Sequence, residues 1–331
     1  MADHPFAEFL RILGKGPKTR RPLTQAEAEQ ALAMILAGEV TEKQLGAFLL
    51  LMRANGETPD ELIGFVKCAR QSFGLDNQAC SSDMACPSGL HLDWAAYAGK
   101  WRYPPYYLLS LKLLAQMGFG ILLHGDQGQF AQRQYAEAFL TELNVPIADS
   151  LQAAREMLGT PQLVYLPLTQ FAEPLREILH LKEEIGVRTV FNTAVKLLNP
   201  LNAPVAVQGI FHKGVEQLHL QTAQALGYKT NLVFKGEGGE AEMRPDALST
   251  VYAWQNSTQT EQKMTALIER QQRPEHWDPA DLVALWQGKK QDAYGEAAVM
   301  ATAAVALMGL ESENYATAVA HVKQAWEQRD V

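Results

Sequence analysis

Residues 90–128 read LHLDWAAYAGKWRYPPYYLLSLKLLAQMGFGILLHGDQG. A short apolar run, LHLDWA, leads into a loop containing Gly99, and a leucine-rich helix opens at Pro104 and Pro105, where a missing N–H costs nothing. FGILLHG follows as a second apolar run, so the stretch predicts a strand–helix–strand unit. In a parallel unit both strands end at the same edge of the sheet, and α/β proteins hold their ligands at that edge. A helix N-terminus there offers unpaired N–H groups and partial positive charge to an anion. Lys100 and Arg102 in the loop, with His124 and Gly125 at the end of the second run, make this edge the expected working face. An ordinary loop with solvated charges is the competing reading.

Outward from this unit, 331 residues allow two domains or one large domain with an appendage. Hydrophobic residues at 47% and charged residues at 20% match a soluble globular protein rather than a disordered or membrane one. No uninterrupted apolar run reaches about eighteen residues, and the start, MADHPFAEFLRILGKG, lacks a signal-peptide pattern. A cytoplasmic protein without a membrane partner is therefore expected. Cys68, Cys80 and Cys86 have no histidine at a zinc-like spacing and are expected to be reduced thiols.

The formal net charge of −8 argues against a polyanionic partner, but the charge is segregated. Between Trp94 and Ala136, Lys100, Arg102, Lys112 and Arg133 face only Asp126. Between Val187 and Lys235, Arg188, Lys196, Lys213, Lys229 and Lys235 face only Glu216. Local field rather than total charge decides where an anion docks, so these segments matter if they fold onto one face.

Before the strand–helix–strand unit lie three punctuated helices. Thr24 with Glu27, Thr41 with Gln44, and Thr58 with Glu61 are capping boxes, each followed by an amphipathic stripe. They define a helical domain over residues 1–73, joined by a helix around 172–186, and residues 74–89 read as a polar linker. Residues 90–331 form an α/β domain with a helical C-terminal part. Within it a helix is expected from about Ala131 to Leu143, a long helix ending at Gly186, a strand at VRTVFN, and a helical tail from about Glu261. The fold class is thus α/β, a small N-terminal α-helical bundle plus a larger domain with a mostly parallel central sheet.

GEVTEKQLGAFLLLMRANGETPDELIGFVKCAR (residues 38–70) resembles the N-terminal helical domain of the anthranilate phosphoribosyltransferases, relatives of the nucleoside phosphorylases. GVRTVFN, followed by LLNP at Leu197–Pro200, is similar to that family's G-x-R-T-x-F-N…L-x-N-P segment. The resemblance covers nearly the whole chain in element order, and it implies the family's fold and a two-fold homodimer through the helical domain. It also sets up a contrast in chemistry. Where members that use phosphoribosyl pyrophosphate carry G-T-G-G-D-G, this chain has Tyr97 to Arg102 and then two prolines. The family's K-H-G-N-R stands here as Leu123 to Gln127, and its magnesium-binding Asp-Glu pair as Ala241 and Glu242. By spacing from Gly186, its anthranilate-recognising arginine falls at Lys182.

A divergent branch with a Tyr-x-Gly segment and basic residues resembles the chain more closely, through Tyr97, Gly99, Lys100, Arg102 and the shared His124-Gly125. Members of that branch look like sequence-independent nucleic-acid-binding proteins. The leading expectation is accordingly a DNA or RNA binder without catalytic residues, metal or cofactor. Its phosphate contacts would be Lys100, Arg102, Arg133, Lys196 and Lys235, beside Arg188 and Asn192. Tyr97, Trp101, Tyr103, Tyr106 and Tyr107 are candidates for stacking. The alternative is a glycosyl- or phosphoribosyltransferase with altered substrate, in which Arg188 and Asn192 position the acceptor, Lys100 or Arg102 the phosphate, and Mg²⁺ enters only if the donor requires it. A dimeric scaffold with drifted loops is the third possibility.

Overall fold

A computed structural model of the protein describes residues 3–76, 86–272, 274 and 276–331. Most of the expected linker, with Cys80, lies outside them. The chain opens with α1 (Ala7–Gly14), α2 (Gln25–Leu36), α3 (Glu42–Asn55) and α4 (Pro59–Ser72). All three threonine capping boxes form, and Glu61 also accepts a bond from the Leu23 N–H at 2.9 Å, tying α4 to the segment before α2. Gly64 allows that contact, since a Cβ there would stand 2.4 Å from the Gln25 carbonyl oxygen.

The α/β part runs β1 (Leu92–Ala96), α5 (Tyr107–Gln116), β2 (Ile121–Gly125), α6 (Leu151–Met157) and β3 (Leu163–Pro167). Next come α7 (Glu173–His180), α8 (Lys182–Ile185), α9 (Phe191–Ala194), β4 (Val205–Ile210), α10 (Glu216–Ala225) and β5 (Thr230–Lys235). A hairpin of β6 (Ser249–Gln255) and β7 (Thr258–Met264) precedes α11 (Pro279–Trp286), α12 (Ala293–Glu311) and α13 (Tyr315–Glu327). The seven strands lie in the order β3-β2-β1-β4-β5-β6-β7, parallel from β3 to β5 and antiparallel at β6 and β7.

Strand alternation splits β1 between two cores. Leu92, Trp94 and Ala96 pack with α5 and α12, where Ala298, Ala301 and Ala304 permit close approach. Ala95 and Tyr97 join the core of the helical bundle, which also takes in Leu175, Ile178 and Leu179 of α7. Phe6, Phe48, Phe65 and Phe191 run through that bundle as a chain of tilted and edge-on rings 5.2–6.1 Å apart. By length and composition α12 is apolar enough to cross a membrane, although 72% of its apolar window is buried inside the fold.

Several local expectations are corrected. The helix expected from Ala131 to Leu143 is only a 3-10 turn at Ala136–Phe139, because Gln134 pairs in extended conformation with Lys100, N–H to carbonyl in both directions. VRTVFN is no strand. The Asn192 side chain accepts the Thr189 N–H at 3.0 Å, which turns the chain into α9 and buries Val190 and Phe191 under the bundle. The long helix before Gly186 is two helices, α7 and α8, and Gly186 ends the second at φ +77. The tail is not helical at Glu261: Asn256 and Ser257, at φ +52 and +58, form a tight hairpin turn that sends residues 258–264 back along β6.

Candidate functional site

The strand order reverses its direction of growth between β1 and β4. β2 and β3 are added on one side and β5 on the other, so a crevice opens beyond the carboxyl ends of the central strands. Four loops meet there: residues 97–106 after β1, 126–135 after β2, 211–215 after β4 and 236–248 after β5. A cleft of about 610 Å³ is lined by Lys100 and Arg102 from the first basic segment and by Lys213 and Lys235 from the second. Arg102 of the first basic segment and Lys213 and Lys235 of the second therefore meet at one cleft. A smaller pocket of about 120 Å³ lies where the end of α3 faces the sheet, lined by Arg53, Glu57, Arg188, Asn192, Lys196 and His219.

Three glutamates of the loop after β5 occupy the anion-binding features around β1. Glu240 Oε1 accepts the N–H groups of Ala98 and Gly99, while Glu237 Oε1 accepts those of Trp101 and Arg102. Glu242 accepts the Lys100 ammonium with one oxygen and the Tyr107 N–H, at the start of α5, with the other. Lys100 is also 3.2 Å from Glu237 and only 1% exposed. It is a buried structural cation, not the phosphate contact expected. The α5 N-terminus likewise holds the protein's own carboxylate.

Other expected contacts are internal as well. Lys196 is buried, donating to the carbonyls of Gly209 and Gly239 at 2.6 and 2.7 Å, and burial lowers its pKa to about 8. Tyr97 is buried with its hydroxyl 2.7 Å from His124 Nδ1, and His124 Nε2 lies 3.3 Å from Asp93, forming a chain away from solvent. Gly125 packs against β1, where a Cβ would approach the Ala96 carbonyl oxygen to 2.3 Å. Gly99, at φ +68, has Arg133 and Tyr135 against it. Asp126 anchors α7 through Arg176 and His180 at 2.7 and 2.8 Å. Tyr106 and Tyr107 are buried and serve packing rather than stacking on a ligand, while half-buried Tyr103 lines the cleft with one ring face taken by Tyr294 at 4.2 Å.

What remains at the mouth is a column of rings and cations. Trp101, 42% exposed, lies between Arg102 at 5.2 Å and Arg133 at 4.9 Å. Arg133 lies 4.3 Å from the ring of Phe130, which also meets Lys182 at 4.1 Å and Arg188 at 4.7 Å. Among the described residues, none of these four cations makes an ion pair, although Arg133 donates to the carbonyls of Ala98 and Gly238 and Lys182 to that of Gln129, and Arg188 Nε is buried without a hydrogen-bond partner. Asn192 stands beside them, donating to Gln129 Oε1 at 2.8 Å, and Lys235 is exposed at the end of β5. Sequence reasoning named Trp101, Arg102, Arg133 and Arg188 but missed Phe130, whose only signal was one aromatic residue in the polar run GDQGQF. It also missed Glu240, which lies in the glycine-rich run GEGGE at residues 236–240 with no local sign of a partner.

A helical bundle set against a parallel α/β sheet, with the site at the switch point, defines a two-domain α/β protein of the glycosyl transferase kind. The helical bundle domain of the glycosyl transferase family matches residues 7–73, and its a/b domain matches residues 110–328. The chain belongs to that family and is anthranilate phosphoribosyltransferase-like. It is 30% identical to the anthranilate phosphoribosyltransferase of Beijerinckia indica over 249 residues, 75% of this chain and 69% of the relative. To that of Gluconobacter oxydans it is 30% identical over 257 residues, 76% of this chain and 68% of the relative. Among solved structures, the anthranilate phosphoribosyltransferase of Thermus thermophilus superposes with a TM-score of 0.75 at 21% identity, covering 98% of this chain and 94% of that one. The Saccharomyces cerevisiae protein in complex with PRPP and Mg superposes with a TM-score of 0.76 at 14% identity, covering 99% and 94%. At those identities the two structures speak for the fold.

Proposed function

We propose that this member of the family binds single-stranded nucleic acid along the mouth of the crevice, without sequence preference. One observation carries the reading: the column Arg102, Trp101, Arg133, Phe130, with Lys182 and Arg188 on the last ring. Sequence-tolerant binding of a single strand needs unpaired cations to track phosphates and aromatic faces to receive bases. Both are present here on residues whose side chains the fold leaves free of ion pairs, and Lys213 and Lys235 extend the charge along the larger cleft. The net charge of −8 is overridden locally, because the acidic residues nearest the mouth are spent on Lys100 and on backbone N–H groups.

A second reading, phosphoribosyl transfer with an altered donor or acceptor, is favoured by the relatives' names and by the small pocket beside Arg188 and Asn192. The residues here do not fit the magnesium ion that such a donor implies. Both oxygens of Glu242 are engaged by Lys100 and Tyr107, and among the described residues no three His, Cys, Asp or Glu side chains are grouped to hold a metal.

One preparation tests both readings. Fluorescence anisotropy of a labelled single-stranded oligonucleotide reads binding, and pyrophosphate release from phosphoribosyl pyrophosphate with anthranilate or another amine reads transfer. Tight, salt-sensitive binding without release supports the first reading. Steady release that the oligonucleotide does not inhibit overturns it in favour of the second.

A further inference from the structure

Two successive N–H groups, those of Ala98 and Gly99, converge on a single oxygen at the carboxyl end of β1, with Gly99 in the left-handed region that lets them do so. Backbone N–H groups arranged in this way form a concavity suited to an oxyanion. The oxygen they hold belongs to Glu240, which is 1% exposed, and its second oxygen is buried without a partner. A buried carboxylate with an orphaned oxygen is costly and persists only if the surroundings impose it. Here they do. A Cβ at Gly209 would lie 2.3 Å from the Glu240 carbonyl carbon, and one at Gly236 would lie 1.5 Å from its oxygen, so two glycines let the Glu240 backbone press against the neighbouring chain. Burial pushes the Glu240 carboxyl pKa up; Lys196, on the Gly209 and Gly239 carbonyls, and the two N–H groups act against that shift and favour the charged form.

We infer that Glu240 is a specificity-determining residue: an internal anion that fills the oxyanion-binding loop and closes it to free phosphate and diphosphate. Anions presented along a chain can still reach the outer column, with whose cations Glu240 forms no direct ion pair, although its charge is felt by Arg133 and Arg188. The inference stands apart from the nucleic-acid reading, because it concerns only what the inner loop refuses. Removing the side chain leaves two converging N–H groups and the Lys196 ammonium facing an emptied concavity, which a phosphate oxygen matches in charge and hydrogen bonding.

The test is calorimetric titration of inorganic pyrophosphate into the wild-type protein, Glu240→Ala and Glu240→Gln, with amide NMR shifts followed at Ala98 and Gly99. Wild type is expected to show no shifts at those two amides and at most weak heat from pyrophosphate on the outer cations. Glu240→Ala is expected to bind at least about tenfold more tightly than wild type and to shift both amides, with Glu240→Gln in between because its amide oxygen still accepts while its charge is gone. Wild-type shifts at Ala98 and Gly99 on adding pyrophosphate overturn the inference, as does a folded Glu240→Ala that binds no better than wild type. If Glu240→Ala fails to fold, the wild-type spectra and the Glu240→Gln titration decide: no gain in Glu240→Gln overturns the inference. Oligonucleotide binding is read in a separate titration, so a failure of the nucleic-acid reading is distinguishable from a failure here.

Discussion

Replacing Lys100 by Met keeps the apolar stem and deletes the ammonium that separates Glu237 from Glu242. The side chain is fully enclosed, so water cannot take over, and Glu242 is left beside Glu237 with only the Tyr107 N–H to satisfy it. Removing one partner from a buried ion pair costs about 3–5 kcal/mol. With an unfolding entropy of about 2.1 cal/mol/K per residue over 331 residues, each kcal/mol shifts Tm by about 1.4 °C, so Lys100→Met should melt roughly 4–7 °C below wild type. Adding Glu242→Gln, which keeps an acceptor for Tyr107 while removing the orphaned charge, should recover at least about half of the loss. Thermal melts followed by circular dichroism at matched protein concentration read both. A single variant melting within about 1 °C of wild type would show the buried ion pair to be wrong, since the ammonium would then stand in solvent, free to hold a phosphate as the sequence alone suggested.

Three further outcomes follow from other contacts. His219 is buried, donates or accepts at 2.7 Å to Gln208, and is held neutral by burial with its pKa lowered to about 3. The unfolded chain takes up a proton below about pH 6.5 that the folded chain refuses, so stability falls with pH, by about 2 kcal/mol between pH 7 and 5. Urea melts of His219→Gln should show that difference reduced by the same amount. Trp101→Ala should weaken single-stranded oligonucleotide binding about 5- to 100-fold with an unchanged melting temperature, because the exposed ring contributes to the mouth and little to the core. Gly209→Ala should destabilise the protein by more than an ordinary surface change, about 2 kcal/mol or more in urea melts, since its methyl group would collide with the backbone at Glu240 and Ala241.

Local patterns made much of the fold legible in the sequence. The apolar runs and the proline-opened helix of residues 90–128, and the three threonine caps, are features that a few neighbouring residues decide, and the structure has each of them. β7 was opaque because TQTEQK is polar on both faces of an edge strand, leaving no alternation to read. At the site the limit was different. Lys100 and Arg102 look alike in the sequence, yet one is sealed between glutamates 137 and 142 positions away and the other lies open. Burial that depends on a partner so distant in the chain leaves no local mark. Lys196 was misread for the same reason, its carbonyl partners coming from β4 and the loop after β5.

Whether the column at the mouth tracks phosphates is decided most sharply by a salt titration of single-stranded oligonucleotide binding to the wild-type protein. If Arg102, Arg133, Lys182 and Arg188 each contact a phosphate, the logarithm of affinity should fall against that of salt with a slope of about −3, a loss of roughly fifty-fold between about 50 and 200 mM. Arg102→Ala, which removes an exposed cation with no ion pair, should flatten that slope by about 0.7. Affinity that is absent at low salt, or indifferent to salt with Arg102 present or removed, would rule out a nucleic-acid strand along these cations.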